Sequence, residues 1–169
     1  MFRLKKDKDN ANTKNDKYTY ASMRKLAFNY TPEQLGLKLE NDDQVYGAVV
    51  DMGVGAGNTA TMICFIDGTA SLYFSNGGGI IGAGQHDSVK QVVTSFLVSS
   101  HQALPVMKRA ENIDILPDEN HHIVYLFTPA GVFTIDIAIE DIQNSKEAYF
   151  LFSLSQMVLS EIRKVSKKD

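Results

Sequence analysis

Runs of apolar residues predict three strands in the first half of the chain. Residues 45–52 and 59–66 are apolar at both odd and even positions, which is typical of strands covered on both faces. Asp67 and Gly68 lie between the second and third runs and favour a two-residue type I′ turn. Residues 69–75 then alternate between apolar and polar positions. The three strands are therefore predicted to form an antiparallel meander.

After the third strand, the apolar residues are spaced as in a helix. Apolar residues recur at intervals of three and four positions and form one stripe, which comprises Val89, Val92, Val93, Phe96 and Leu97. We expect this helix to begin at Asp87 or Ser88 as N-cap and to end near Leu104, because Pro105 follows. Residues 145–165 predict the longest helix of the chain.

A shorter helix is predicted over residues 31–39. Thr31 is a suitable N-cap, Pro32 occupies the first helical position, and Gln34 is the third residue of a capping box.

Two further strands are predicted in the second half, over residues 122–128 and 132–140, and residues 106–116 are weakly strand-like. In the later strand Phe133, Ile135, Ile137 and Ile139 face one way, opposite Thr134, Asp136, Ala138 and Glu140. The element order predicts an α+β fold with a single antiparallel sheet of five or six strands and a long C-terminal helix. Its topology resembles that of profilin-like, longin and roadblock domains. Residues 1–17 are predicted to be a flexible polar tail, and residues 18–169 a single domain.

Composition excludes some classes of function. The chain has 169 residues, a net charge of −3 and a pI near 5.8, whereas a nucleic-acid-binding domain normally carries a basic excess. No apolar run approaches the roughly 20 residues of a membrane span, and the N-terminus lacks the apolar region of a secretory signal. The one cysteine, Cys64, lies in an apolar run and is predicted to be a buried, reduced thiol. We expect a soluble cytoplasmic protein without a membrane span or nucleic-acid partner.

A glycine-rich loop between the third strand and the following helix is the main candidate site. The candidate ligand-binding residues are Ser75, Asn76, Gly77, Gly78, Gly79, Gly82, Gly84 and His86. The glycines match G-x-G-x-x-G, but a dinucleotide fold requires that motif in a parallel βαβ unit. The Walker A spacing also fails, because Gln85 and His86 replace its Lys-Ser/Thr pair. Two readings stay open, an anion or small-ligand site and a structural crossover.

The run DGTASLYFSNGGGIIGAGQH resembles the signature of a family of small uncharacterised bacterial proteins. The resemblance extends over residues 45–104, and it implies no established activity.

A few other polar residues are candidates for catalysis or metal binding. A hydrolase or transferase centred on Ser75, His86 and Asp51 is the third and least favoured hypothesis, because no complete nucleophile–base set can be assembled from the sequence. Asp51 lies inside an apolar strand and therefore needs a buried partner. His121 and His122 are adjacent in a strand, so their side chains point to opposite faces and cannot share one metal ion. The sequence thus predicts no metal site and no cofactor.

The last helix is apolar around more than half of its circumference. Phe150, Phe152, Met157 and Leu159 widen its main stripe, which predicts a surface shared with a second element or a partner. The leading hypothesis is therefore a non-enzymatic interaction module that forms a homodimer or binds an unidentified protein. Binding of a small ligand or anion at residues 77–86 is the alternative.

Overall fold

Seven strands form one antiparallel sheet in the computed structural model, which describes residues 19–167. The strands are β1 (Gly47–Gly55), β2 (Asn58–Phe65), β3 (Ala70–Phe74), β4 (Gly79–Ile80), β5 (Lys108–Arg109), β6 (His121–Thr128) and β7 (Gly131–Ala138). Their order across the sheet is β4-β3-β2-β1-β6-β7-β5. The α+β class is confirmed. The predicted five or six strands become seven because β4 has only two residues, too few to leave a periodic pattern, while β5 lies within the weakly strand-like residues 106–116.

Within residues 19–167, three α-helices and three 3₁₀-helices connect or cover these strands. The α-helices are α1 (Tyr20–Ala27), α2 (Asp87–Ser100) and α3 (Lys146–Val165), and the 3₁₀-helices span Ala83–Gln85, His101–Val106 and Ile139–Asn144. The predicted polar tail, residues 1–17, lies outside the described residues. Within residues 19–167, no helix has the length and apolar character to cross a membrane.

The sheet is covered on both faces, so the protein has two cores. Helices α2 and α3 cover one face, where Val50, Met62 and Leu126 meet Phe96 and Leu151. The second face is covered by α1 and by residues 28–39 and 110–116, which pack on Val49, Phe65 and Tyr125. Because β1, β2 and β6 lie in the middle, their residues are buried at both parities, as the sequence predicted for β1 and β2. Cys64 is buried among them, and burial raises the pKa of its thiol to about 12.

The predicted helix over residues 31–39 is wrong, although its capping box forms. Thr31 N donates to Gln34 Oε1 at 3.0 Å, and Gln34 N donates to Thr31 Oγ1 at 3.4 Å. Gly36 then takes a left-handed φ of +68°, and Leu37 N donates to Pro32 O at 2.8 Å. The left-handed residue ends the segment after one turn. Helix α1, which precedes this segment, is not among the helices that the sequence predicts.

The predicted two-residue turn at Asp67 and Gly68 is also wrong in type. Phe65 N donates to Thr69 O and Gly68 N donates to Phe65 O, both at 2.9 Å, so the loop has three residues. Of the pair, only Gly68 has positive φ (+92°), as in a type I turn followed by a glycine bulge. Asp67 instead accepts a hydrogen bond from Thr69 N through its side chain.

Other boundaries differ modestly from the prediction. Helix α2 begins at Asp87 after His86 as N-cap, and it ends at Ser100 before the 3₁₀-helix that contains Pro105. Of residues 106–116, only Lys108–Arg109 form a strand.

Candidate functional site

The glycine-rich loop is a β-hairpin turn between β3 and β4. Phe74 N donates to Gly78 O at 3.2 Å, and Gly77 N donates to Phe74 O at 3.0 Å. Gly77 and Gly78 have φ values of +107° and +80°, and a Cβ atom at either would meet no atom within 4 Å. These two glycines adopt the positive φ angles that the turn requires, and they leave open space above the backbone.

Two later glycines allow close packing of main chain. A Cβ atom at Gly79 would lie 2.5 Å from Leu72 O, and one at Gly84 would lie 1.9 Å from Gly68 O. Gly79 thus permits the close β3–β4 pair, and Gly84 lets the 3₁₀-helix rest on the β2–β3 turn. At these two positions the absence of a side chain serves main-chain packing. Because the motif lies in an antiparallel hairpin, it lacks the βαβ context of a dinucleotide site.

An open groove lies between this hairpin and the start of α1. We call it the hairpin groove; it encloses about 760 Å³ and is lined by Thr19, Tyr20, residues 73–79 and Ile81. None of these described lining residues carries a charged side chain. Ile81 stands at the rim with 73% of its surface exposed.

The candidate ligand residues do not all reach this groove. Ser75, Asn76, Gly77, Gly78 and Gly79 line it, and Ser75 Oγ accepts a hydrogen bond from Thr59 N at 2.8 Å. Gly82 and Gly84 line a separate depression of about 390 Å³ beside Lys90, with Ile81 between the two. His86 lines neither; its carbonyl accepts hydrogen bonds from Val89 N and Lys90 N at the start of α2. The predicted single site is thus divided over two surfaces.

Asp51 lies on the same face of the sheet as the hairpin groove and is fully buried. Arg24 Nη2 donates to Asp51 Oδ2 at 2.6 Å, and Arg24 Nε lies 3.0–3.1 Å from both carboxylate oxygens. Burial alone lowers the pKa of the Arg24 guanidinium, but the hydrogen bonds to Asp51 and its charge outweigh burial and raise it. The guanidinium also packs 5.1 Å from the Phe28 ring and 5.7 Å from the Tyr125 ring.

Hydroxyl groups connect this ion pair to the groove wall. Thr61 Oγ1 donates to Asp51 Oδ1, and Tyr20 Oη lies 2.8 Å from Thr61 Oγ1. Because the Thr61 proton is directed to Asp51, Tyr20 is the donor in that contact. Burial raises the pKa of Tyr20, so it keeps this proton at neutral pH. Asp51 therefore fixes α1, and with it Tyr20, on the sheet, and its carboxylate is already occupied by Arg24 and Thr61.

The two adjacent histidines lie on opposite faces of β6, as predicted. His121 Nδ1 is 2.9 Å from Asp136 Oδ1, and this hydrogen bond raises the pKa of His121. His122 packs 5.2 Å from the Phe152 ring, its buried Nδ1 has no partner among the described residues, and burial lowers its pKa to about 4. Asp136 is exposed, as the alternation in β7 predicted. Within residues 19–167, no group of three or more His, Cys, Asp or Glu residues is arranged to hold a metal ion.

The four predicted interface residues of α3 lie on two different sides of the helix. At about 100° per residue, Phe150 and Met157 fall together, about 160° from Phe152 and Leu159. Phe152 and Leu159 pack against the core. Met157 is 54% exposed, and Phe150 lines a cleft of about 410 Å³ with Gln102 and Tyr149. Much of the apolar excess of α3 is therefore used within the fold.

The two edges of the sheet differ in charge. The edge formed by β5 consists of two exposed basic residues, Lys108 and Arg109. The opposite edge, β4, belongs to a stretch from Gly68 to Gln85 that contains no Asp, Glu, Lys, Arg or Pro. Charged residues and proline on an edge strand discourage pairing with other chains, so only the β5 edge carries this protection.

Sequence reasoning missed Arg24 and the contrast between the edges. The predicted burial of Asp51 implied a partner for its carboxylate, but nothing in the sequence pattern identified Arg24, which lies 27 residues away. The uncharged stretch was visible, but its position at a sheet edge depends on which strands are neighbours.

Comparison with known proteins adds no relative. No protein-family model, curated protein or solved structure matches this chain. The resemblance of residues 45–104 to a bacterial family stays a prediction.

Proposed function

We propose that this protein is a non-enzymatic interaction module that recognises a protein partner through the β4 edge and the hairpin groove. The observation that carries the proposal is the unprotected edge: β4 has neither charge nor proline, whereas β5 at the other edge is Lys108–Arg109. Exposed, uncharged strand edges are sites of pairing with other chains. Ile81 supplies an exposed apolar side chain at the rim.

The groove beside this edge indicates the character of the partner. Its described lining contains tyrosine rings, hydroxyl groups, one amide side chain and glycine backbone, without charge. A charged side chain entering it would lose hydration without gaining an opposite charge. We therefore expect an uncharged segment.

The experiment is a selection from a phage-displayed library of random 12-residue peptides on the full chain. We expect enrichment of sequences poor in Asp, Glu, Lys and Arg, with at least tenfold weaker binding to Ile81→Asp. Ile115→Asp is the matched control, because Ile115 is 54% exposed on a different loop and does not line the groove. Absence of enrichment, or equal binding to Ile81→Asp, would contradict the proposal. Gly79→Val is a poor probe, since a side chain there collides with Leu72 O.

A small neutral ligand is the second candidate, favoured by the open space above Gly77 and Gly78. A ligand at 100 times its Kd adds about 2.7 kcal/mol to the free energy of unfolding. A thermal-shift panel of sugars, nucleosides and simple acids tests it. A shift of several degrees with a neutral compound, lost in Ile81→Asp, would favour this candidate over a protein partner.

A further inference from the structure

We propose that the partner binds as an extended strand added to the outer edge of β4, pairing with the main chain of Gly79. This inference rests on the proposed function and specifies its mode. The partner segment would extend the sheet, with alternate side chains entering the hairpin groove.

Hydrogen-bond alternation in the β3–β4 hairpin shows which backbone groups are available. Phe74 N donates to Gly78 O, so residues 74 and 78 form a hydrogen-bonded pair. The next pair is Tyr73 with Gly79, and Leu72 with Ile80 follows. In an antiparallel ladder such pairs alternate, so Gly79 belongs to a non-hydrogen-bonded pair and directs both its N–H and its C=O away from β3. Its outer side faces no other strand within residues 19–167.

The outer edge of β4 is exposed at Gly79. Residues 76–79 are exposed, and the side chain of Ile81 stands at the rim of the groove. A strand laid along β4 would place successive side chains on opposite faces of the extended sheet. On the face that carries Tyr73, those side chains would meet the uncharged groove beside Tyr20. This arrangement fits an uncharged partner segment with apolar residues at alternate positions.

The test uses a peptide selected on the full chain and a set of copies, each methylated at one backbone nitrogen. Methylation removes one N–H, so a paired strand loses affinity only where that N–H faces β4. We expect a loss of tenfold or more at the one nitrogen whose N–H pairs with Gly79 O, and less than twofold at the residues on either side of it. In a parallel measurement, amide exchange at Gly79 should slow at least tenfold on saturation, while that at Arg109 stays unchanged.

The outcomes separate this inference from the proposed function. A peptide whose binding is lost in Ile81→Asp but that has no single nitrogen sensitive to methylation would overturn strand addition and leave the interaction function standing. A peptide that binds Ile81→Asp as well as wild type would overturn both. If analytical ultracentrifugation shows dimers that Ile81→Asp and the milder Ile81→Ser both dissociate, the occupant is a second copy of this chain, and the proposed partner is wrong.

Discussion

Arg24 on α1 and Asp51 on β1 form an ion pair that is buried between a helix and the middle of the sheet. The Nη2–Oδ2 distance is 2.6 Å, and Thr61 donates a further hydrogen bond to the carboxylate. An isolated helix as short as α1, with eight residues, is unstable in water. The ion pair therefore fixes the position of α1, and through Tyr20 it fixes one wall of the hairpin groove.

Removal of one partner of this pair should be far more harmful than removal of both. Arg24→Met leaves the carboxylate buried without a counter-charge, and we expect it to lower the free energy of unfolding by about 3–5 kcal/mol. The double variant Arg24→Met/Asp51→Leu should recover at least about 2 kcal/mol of that loss. Urea unfolding monitored by circular dichroism measures both. A single variant within about 1 kcal/mol of wild type would show that the pair is not required.

Acid should destabilise the fold through His122. Its pKa falls from 6.5 in the unfolded chain to about 4 in the fold, so the unfolded state binds the proton first. The stabilisation is complete above pH 6.5 and is lost as pH falls towards 4. Because part of the ring is exposed to solvent, we expect about 1–2 kcal/mol. The contribution of His121 depends on pH in the opposite direction. Asp136 raises the pKa of His121, so its stabilisation of the fold is present below pH 6.5 and is lost as pH rises.

The variant His122→Phe isolates this effect, because it keeps a ring against Phe152 and removes the titrating group. Its free energy of unfolding should fall less than that of wild type between pH 7.5 and pH 4.5. Parallel pH profiles of wild type and variant would show that His122 is not the titrating group.

Two substitutions on α3 should distinguish core from surface. Phe152 packs on the core and His122, so Phe152→Glu should cost about 2–4 kcal/mol of stability. Met157 is exposed, so Met157→Glu should change stability by less than about 0.5 kcal/mol. Thermal unfolding measures the difference in stability between the two variants.

Sedimentation of wild type and Met157→Glu over a concentration series tests self-association, because a dimer formed through Met157 should dissociate in the variant.

The sequence predicted the central strands well because they are covered on both faces. Residues 45–52 and 59–66 carry that signal directly, and β1 and β2 match them closely. The alternation in β7 likewise placed Ile137 in the core and Asp136 in solvent. These features depend on local periodicity, which can be read directly from the sequence.

Features that depend on tertiary contacts were not predictable in this way. The capping box at Thr31 and Gln34 formed, but the left-handed Gly36 limited it to one turn. In α1, Tyr20, Met23 and Ala27 face the sheet, but the helix has only eight residues and the polar Arg24 lies on the same face, so its periodicity is a weak signal. The hairpin groove joins Tyr20 to residues 73–79, and no periodicity connects segments that far apart in the chain.

The central claim is that the β4 edge, and not the β5 edge, is the recognition surface. The most direct measurement is a nuclear magnetic resonance titration of the isotope-labelled full chain with a peptide selected on it. We expect the largest amide shift changes at residues 77–82 and at Tyr20, with none at Lys108 or Arg109. Changes centred on Lys108 and Arg109, or on the cleft beside Phe150, would contradict the account.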